Sequence, residues 1–352
     1  MRILINHLKN VGDVLLATTA IKLVRDAYPD AWITLMTVPH VAPFFENHPL
    51  VDEILPFTYK SKDGSLSSML QMVKEVKKRN FDVNISLESR LRPLLVAFLA
   101  GIPVRIAGDG MDRYGKKKEW YRLFFTKLYP ITTQEKEHQS ETFMKVVRPY
   151  LNLPASITAA PSLPPASAES ISRMQELLQV QQETNAKKKI LFCVRGTHPE
   201  KNWPVKYFAE VIDTVVQRYN ADCYIIGAPG DADYAQGVMK ECKTAVHNLC
   251  GKTRPADLTA LFDIADLLVS VDTGTAHMAA TTTIPIVSIF LCTNPVQWHP
   301  LSDKAKVLCY EFAFGRFGLR ATPDFITHKE ILPVHVLQAI EEQLAGNRNK
   351  ND

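Results

Sequence analysis

Residues 267–280 read Leu267-Leu268-Val269-Ser270-Val271-Asp272-Thr273-Gly274-Thr275-Ala276-His277-Met278-Ala279-Ala280. A short run of Leu and Val is a buried strand, and the switch to Asp-Thr-Gly before small residues marks a turn into a helix. Ala276, Ala279 and Ala280 let that helix lie close to a sheet. The N–H groups of Thr273, Gly274 and Thr275 open it without intrahelical acceptors, which makes an anion site. His277 projects from the first turn, where a histidine serves packing or a ligand equally well.

The same strand–turn–helix grammar extends outward. In the second half, strands are expected at 189–194, 223–227, 267–271 and 285–290. Helices are expected at 204–218, 231–242, 255–264 and 333–344. In the first half, strands at 2–5, 32–37, 51–57, 81–87 and 104–107 alternate with helices at 13–27, 66–79 and 93–100. This order implies parallel sheets covered on both faces. Between the halves, residues 153–167 carry Pro154, Pro161, Pro164 and Pro165 among small residues and read as a linker. The expected class is therefore α/β with two Rossmann-like domains, 1–160 and 161–352, facing each other across a cleft. The last helix is free to pack back on the first domain.

Composition narrows the options. Of 352 residues, 46% are hydrophobic and 22% charged, as in a globular protein. No apolar run approaches the roughly 18–20 residues that span a bilayer. The start Arg2-Ile3-Leu4-Ile5 is followed by polar Asn6, His7, Lys9 and Asn10, so it is not a signal peptide and a cytoplasmic location is expected. The six cysteines form no C-x-x-C pair and are expected to be reduced core thiols. Residues 1–160 hold 22 Lys+Arg against 16 Asp+Glu, while the remainder holds 19 against 21. The first half thus suits an anionic partner, or simply carries a solvated basic face. No helix-turn-helix, zinc-finger or RNA-binding pattern is present, so nucleic acid is not expected as a partner.

Ligands of open α/β sheets bind beyond the C-terminal ends of strands, so the junctions hold the candidate residues. The first is Asn6-His7-Leu8-Lys9-Asn10-Val11-Gly12-Asp13. Asp13 near a helix start is a catalytic candidate, although a capping or dipole role explains it too. No G-x-G-x-x-G or Walker A loop occurs. The second junction runs from Val194 to Pro204, where Gly196, Thr197 and Lys201 suit a phosphate. A solvent-exposed Lys201 is the plain alternative. The third is Gly227-Ala228-Pro229-Gly230-Asp231-Ala232-Asp233, whose Asp231 stands where a Rossmann half binds a ribose hydroxyl.

Taken together, Gly12-Asp13-Val14-Leu15, Lys201-Asn202-Trp203-Pro204, Gly227-Ala228-Pro229 and Val271-Asp272-Thr273-Gly274 with His277 resemble glycosyltransferase family 9. This is the heptosyltransferase family of lipopolysaccharide core assembly. The resemblance implies a GT-B fold and inverting transfer from ADP-heptose to a lipid-linked saccharide, with no metal or cofactor. It matches Asp13 to the catalytic base. It matches Gly196, Thr197 and Lys201 to the donor-phosphate segment and Asp231 to the ribose acid. Asp272 matches the donor-sugar contact, with Thr273, Gly274 and His277 as phosphate-side neighbours. Two features depart from the family: Leu291 stands where Gly is usual, and a cysteine pattern near the C-terminus is missing, leaving Cys309 alone before residues 312–317.

On this reading Asp13 takes the proton of an acceptor hydroxyl as it attacks the anomeric carbon. Lys201 and the 273–274 helix start stabilise the departing diphosphate. The triplet Asp231-Ala232-Asp233 also spells D-x-D, which holds a divalent metal in another glycosyltransferase class; no metal is expected here. Lys9, Asn10, Arg90, Arg92 and Arg105 are the candidates for an anionic, lipid-linked acceptor. The basic, aromatic stretch 113–127 is a candidate for acceptor or for peripheral contact with the inner membrane. A family relative using another nucleotide sugar, and a non-catalytic nucleotide-sugar-binding protein, are the competing readings.

Overall fold

The structure, a computed structural model, describes residues 1–58, 66–88, 90–109, 119–131, 137–178, 187–311 and 325–346. Two compact units divide between Pro164 and Pro165, within the proline-rich stretch.

In the first unit the strands are β1 (Arg2–Asn6), β2 (Trp32–Thr37), β3 (Glu53–Pro56), β4 (Val83–Ser86), β5 (Val104–Asp109) and β6 (Lys127–Pro130). They form one parallel sheet in the order β3-β2-β1-β4-β5-β6. Its helices are α1 (Val11–Ala27), α2 (Leu66–Lys78), α3 (Leu91–Leu99) and α4 (Gln139–Val147). The central strand β1 is apolar from Ile3 to Ile5 and buried from Ile3 to Asn6, as expected of a strand covered on both faces. Helix α1 is buried from Val14 to Ile21 and packs against α4.

The second unit opens with α5 (Ala168–Leu177) and continues with β7 (Lys188–Cys193), α6 (Val205–Tyr219), β8 (Ala221–Ile225) and α7 (Ala232–Glu241). It goes on through β9 (His247–Asn248), α8 (Leu258–Ile264), β10 (Leu267–Val271), α9 (Gly274–Ala279) and β11 (Ile286–Phe290). It ends with α10 (Pro295–Trp298), β12 (Ala305–Tyr310), β13 (Phe325–His328) and α11 (Pro333–Gly346). The parallel sheet runs β13-β12-β11-β10-β7-β8-β9. Its core joins Phe192, Trp203, Phe208, Val269 and Ile340, all at most 1% exposed. Helix α11 packs on α6 and on β10, β11 and β12 of its own unit.

Several expectations need correction. Strand β8 lies two residues earlier than expected. Asn220 ends α6 in the left-handed conformation (φ 48°), and Ala221 pairs at once with Lys188. Gly227 therefore belongs to the loop. Helix α1 starts at Val11, which puts Asp13 within its first turn. The expected helix 255–264 is a 3₁₀ turn at Pro255–Asp257 followed by α8. No two cysteines are joined among the described residues; Cys193, Cys223, Cys250 and Cys309 are buried. No described helix is long and apolar enough to cross a membrane. Of the stretch 113–127, residues 113–118 lie outside the described residues, as do 312–317.

Candidate active site

In the second unit, two neighbouring strands bring the chemistry together. Strands β7 and β10 pair side by side, Cys193 opposite Ser270, so the loops after them emerge next to each other. Lys201 from the first loop places Nζ 2.6 Å from Asp272 Oδ2 in the second. From the end of β11, Thr293 donates its hydroxyl to that same oxygen at 2.5 Å. The Asp272 side chain is 6% exposed and that of Lys201 19%, so this is a mostly buried, charge-assisted knot. Gly196 makes room for it: a Cβ there would sit 2.7 Å from Lys201 Cβ. The Gly196 N–H donates to Asn202 Oδ1 at 2.8 Å, which folds the loop back on itself. Thr197 is exposed beside it.

His277 lies one turn into α9 and is 6% exposed. Burial drives its pKa down to about 4; Asp272 opposes this, while His299 and Lys201 add to it. The ring is therefore neutral at pH 7. Its Nδ1 has no hydrogen-bond partner among the described residues. Thr273 caps α9 without a side-chain hydrogen bond to the helix, and its hydroxyl lies 3.3 Å from Ser270 Oγ. A cation, a neutral imidazole and an uncapped turn thus surround one buried carboxylate. Such a group can meet an anion without a second cation.

Asp231 stands apart from this knot. Its Oδ2 accepts from the Ala228 N–H at 2.9 Å and its Oδ1 lies 3.2 Å from Arg195 Nη1. Gly227 is small because a Cβ would approach Asp231 Oδ2 to 2.9 Å. Asp231 therefore builds its own loop, whatever else it binds. Asp233, the second acid of the triplet, is exposed.

In the first unit, Asp13 is half-buried in the first turn of α1, behind Lys9 and the exposed Asn10. The residue that organises this corner is Glu88, two positions past β4. It is 2% exposed and accepts the Leu8 N–H at 2.5 Å. Its other oxygen lies 3.4 Å from Arg90 Nη1. Burial raises the Glu88 carboxyl above the usual range; Leu8, Arg90 and Lys9 oppose this, and Asp13 adds to it. His7, packed edge-on to Phe143 at 4.9 Å, is held neutral by burial with a pKa of about 3. The Leu87 backbone opposes that shift without closing a hydrogen bond to either ring nitrogen.

The acceptor candidates divide. Lys9 and Arg90 share the Glu88 corner with Asp13. Arg92 is exposed on the first turn of α3. Arg105 sits at the other end of its strand, near the start of β5. It donates to the carbonyls of Phe124 (2.7 Å) and Ile102 and stacks over Phe98. Its guanidinium ties loops together, so the structure does not bring it to Asp13. Glu88 and Thr293 went unread in the sequence. A lone acid directly after a buried strand and before Arg90 and Arg92 was the available signal for the first.

Two parallel sheets, each in its own compact unit, define an α/β protein of two similar lobes, and the fold matches a known class of that kind. Residues 69–314 match the sequence profile of glycosyltransferase family 9 (heptosyltransferase). The chain is similar to lipopolysaccharide heptosyltransferase 3 of Escherichia coli, 25% identical over 83% of this chain and 84% of that protein. It superposes on a family 9 glycosyl transferase from Veillonella parvula with a TM-score of 0.82 at 23% identity, over 98% and 97% of the two chains. On the E. coli heptosyltransferase WaaC with ADP the TM-score is 0.72 at 18% identity, over 97% and 100%. The chain belongs to glycosyltransferase family 9, and its fold is the GT-B fold of these enzymes.

Proposed function

We propose that this glycosyltransferase moves a heptose from ADP-heptose to a lipid-linked saccharide of the lipopolysaccharide core, with inversion and without a metal. The observation that carries the donor half is the Lys201–Asp272–Thr293 knot with His277 beside it. Lys201 has three N–H donors and gives Asp272 one on Oδ2 at 2.6 Å and a longer one on the backbone carbonyl at 3.4 Å, so the third can meet a diphosphate. Negative charge grows on that diphosphate as the bond to the sugar breaks, so a fixed ammonium lowers the barrier. Asp231 is the candidate for the ribose. The relative WaaC is described with ADP, which supports the same nucleotide here. Asp13 is the base, and Lys9, Asn10, Arg90 and Arg92 face the anionic acceptor. Catalysis runs on the cytoplasmic side, with the acceptor's lipid in the inner membrane.

A second reading, transfer from another nucleotide sugar, is favoured by Leu291. It lines a cavity of about 510 Å³ with Trp203, Tyr207 and Tyr310. One assay separates the two. ADP-heptose and UDP-hexoses are offered with a core acceptor in excess EDTA, and the anomeric configuration of the product is read by NMR. Inverted product from ADP-heptose is expected. Turnover with UDP-sugars alone would establish the second reading. Activity lost to chelator and restored by Mn²⁺ would refute metal independence.

A further inference from the structure

We propose that Glu88 is the positioning residue of the transfer: its buried side-chain oxygen fixes the backbone at Leu8, and with it the approach to Asp13. This rests on the reading of Asp13 as the base.

The chain leaves β1 with two firm ties. The His7 N–H donates to the Met36 carbonyl at 3.0 Å, and Thr37 Oγ1 donates to the His7 carbonyl at 3.0 Å. Helix α1 takes hold with the Val14 N–H on the Asn10 carbonyl at 3.1 Å. Between these lies Leu8, fully buried, whose N–H needs an acceptor there because water cannot supply one. Glu88 Oε1 meets it at 2.5 Å across 80 residues of sequence. Glu88 is itself pinned, because Ser86 Oγ lies 2.9 Å from its carbonyl and 2.7 Å from Asn6 Oδ1. A sheet-anchored side chain thus sets where the turn into α1 begins, five residues before Asp13.

The charged groups facing Glu88 are Lys9 and Asp13 from the loop and α1, and Arg90 from its own loop. Neutral His7 lies among the same cations. Burial pushes Glu88 toward its neutral form, and the guanidinium at 3.4 Å is a loose partner. By distance, the closest tie Glu88 makes is an oxygen held at a fixed place: the Leu8 N–H stands at 2.5 Å and the nearest guanidinium nitrogen at 3.4 Å. An amide oxygen at the same reach replaces it; a carboxylate one methylene shorter does not.

Two variants separate reach from charge. Glu88→Gln keeps the reach and drops the charge; Glu88→Asp keeps the charge and loses the reach. Turnover with ADP-heptose and a core acceptor, ADP affinity by calorimetry, and exchange of the Leu8 amide by NMR are measured for both. Glu88→Asp should lower kcat by ~10-fold or more, since a misplacement of about 1 Å costs up to 10²-fold. Its ADP affinity should stay as in the wild type, and its Leu8 amide should lose protection. Glu88→Gln should keep Leu8 protection and nearly all of kcat. The proposal is overturned by wild-type turnover in Glu88→Asp, or by a Glu88→Gln variant as slow as Glu88→Asp or slower. If the wild type transfers no sugar from ADP-heptose, the functional reading fails separately. Leu8 exchange then still decides whether Glu88 holds the loop: equal protection in the two variants counts against it.

Discussion

At the end of β10, Asp272 lies 2.6 Å from an ammonium and 2.5 Å from a hydroxyl; beyond β4, Glu88 meets a backbone N–H at 2.5 Å and a guanidinium only at 3.4 Å. Both carboxyl groups are buried and both stand past the C-terminal end of a strand in a parallel sheet. The second unit compensates burial with close charge and hydrogen bonding. The first leaves burial the larger effect, and the Glu88 carboxyl rises toward neutrality. The contrast suits two tasks. A departing diphosphate needs a fixed cation held ready, and Asp272 holds Lys201. An acid that must only place a loop needs no net charge. The strand-end position is shared; the partners decide what the carboxyl does.

The sharpest break in the comparison comes from Asp13→Ala. Removing a general base should cut turnover by roughly 10²–10⁴-fold, with ADP affinity unchanged. Wild-type turnover in that variant would remove Asp13 from the mechanism.

Next in size is the knot itself. Lys201→Ala leaves Asp272 buried without its cation, which should cost about 2–4 kcal/mol of stability in the second unit, somewhat less than a fully buried pair because Lys201 is partly exposed. Adding Asp272→Asn should restore most of that loss, and urea unfolding of the single and double variants reads it. An additive double variant would mean that the pair is not coupled.

The buried imidazoles give a smaller, pH-gated effect. His277 and His7 have folded pKa values lowered to about 4 and about 3. The unfolded chain titrates them near 6.5, so below that pH it binds more protons and stability falls. The loss develops between pH 6.5 and about 4 for His277, and continues to about 3 for His7. For His277 it amounts to on the order of 3 kcal/mol. Calorimetric melts across pH 3–7 should show the decline, and His277→Asn should flatten its upper part. An unchanged slope would contradict a neutral buried His277.

The smallest effect expected is that of Thr293→Val, which removes one hydroxyl donor to Asp272 and should cost about 1–2 kcal/mol. It should also weaken ADP binding slightly while leaving the Leu8 corner untouched.

Much of this was legible in the sequence because parallel strands announce themselves. The runs at 2–5 and 267–271 are mostly apolar and 32–37 alternates, and each fell within a residue of β1, β10 and β2. Elements at edges and ends were not legible. Helix α4 is capped by His138, whose ring accepts the Ser140 N–H, a cap outside the usual Ser, Thr, Asp and Asn. Strands β6 and β13 are four residues each and mixed in polarity, so periodicity does not find them. In the candidate site, Lys201, Asp272 and His277 could be named from their junctions and do converge. Glu88 and Thr293 could not, because their importance lies in which backbone N–H or carboxylate they meet, 80 and 21 residues away. For Arg105 the position near a strand end was visible in the sequence, but its two carbonyl partners were not.

Whether the second unit's knot receives the donor nucleotide is read by calorimetric titration of ADP into the wild type, Lys201→Ala and Asp13→Ala. The wild type and Asp13→Ala should bind ADP alike, while Lys201→Ala should bind it about 10–100-fold more weakly, as expected for a lost charge-assisted hydrogen bond. Equal ADP affinity in the wild type and Lys201→Ala, or loss of affinity in Asp13→Ala alone, would contradict donor binding at the knot.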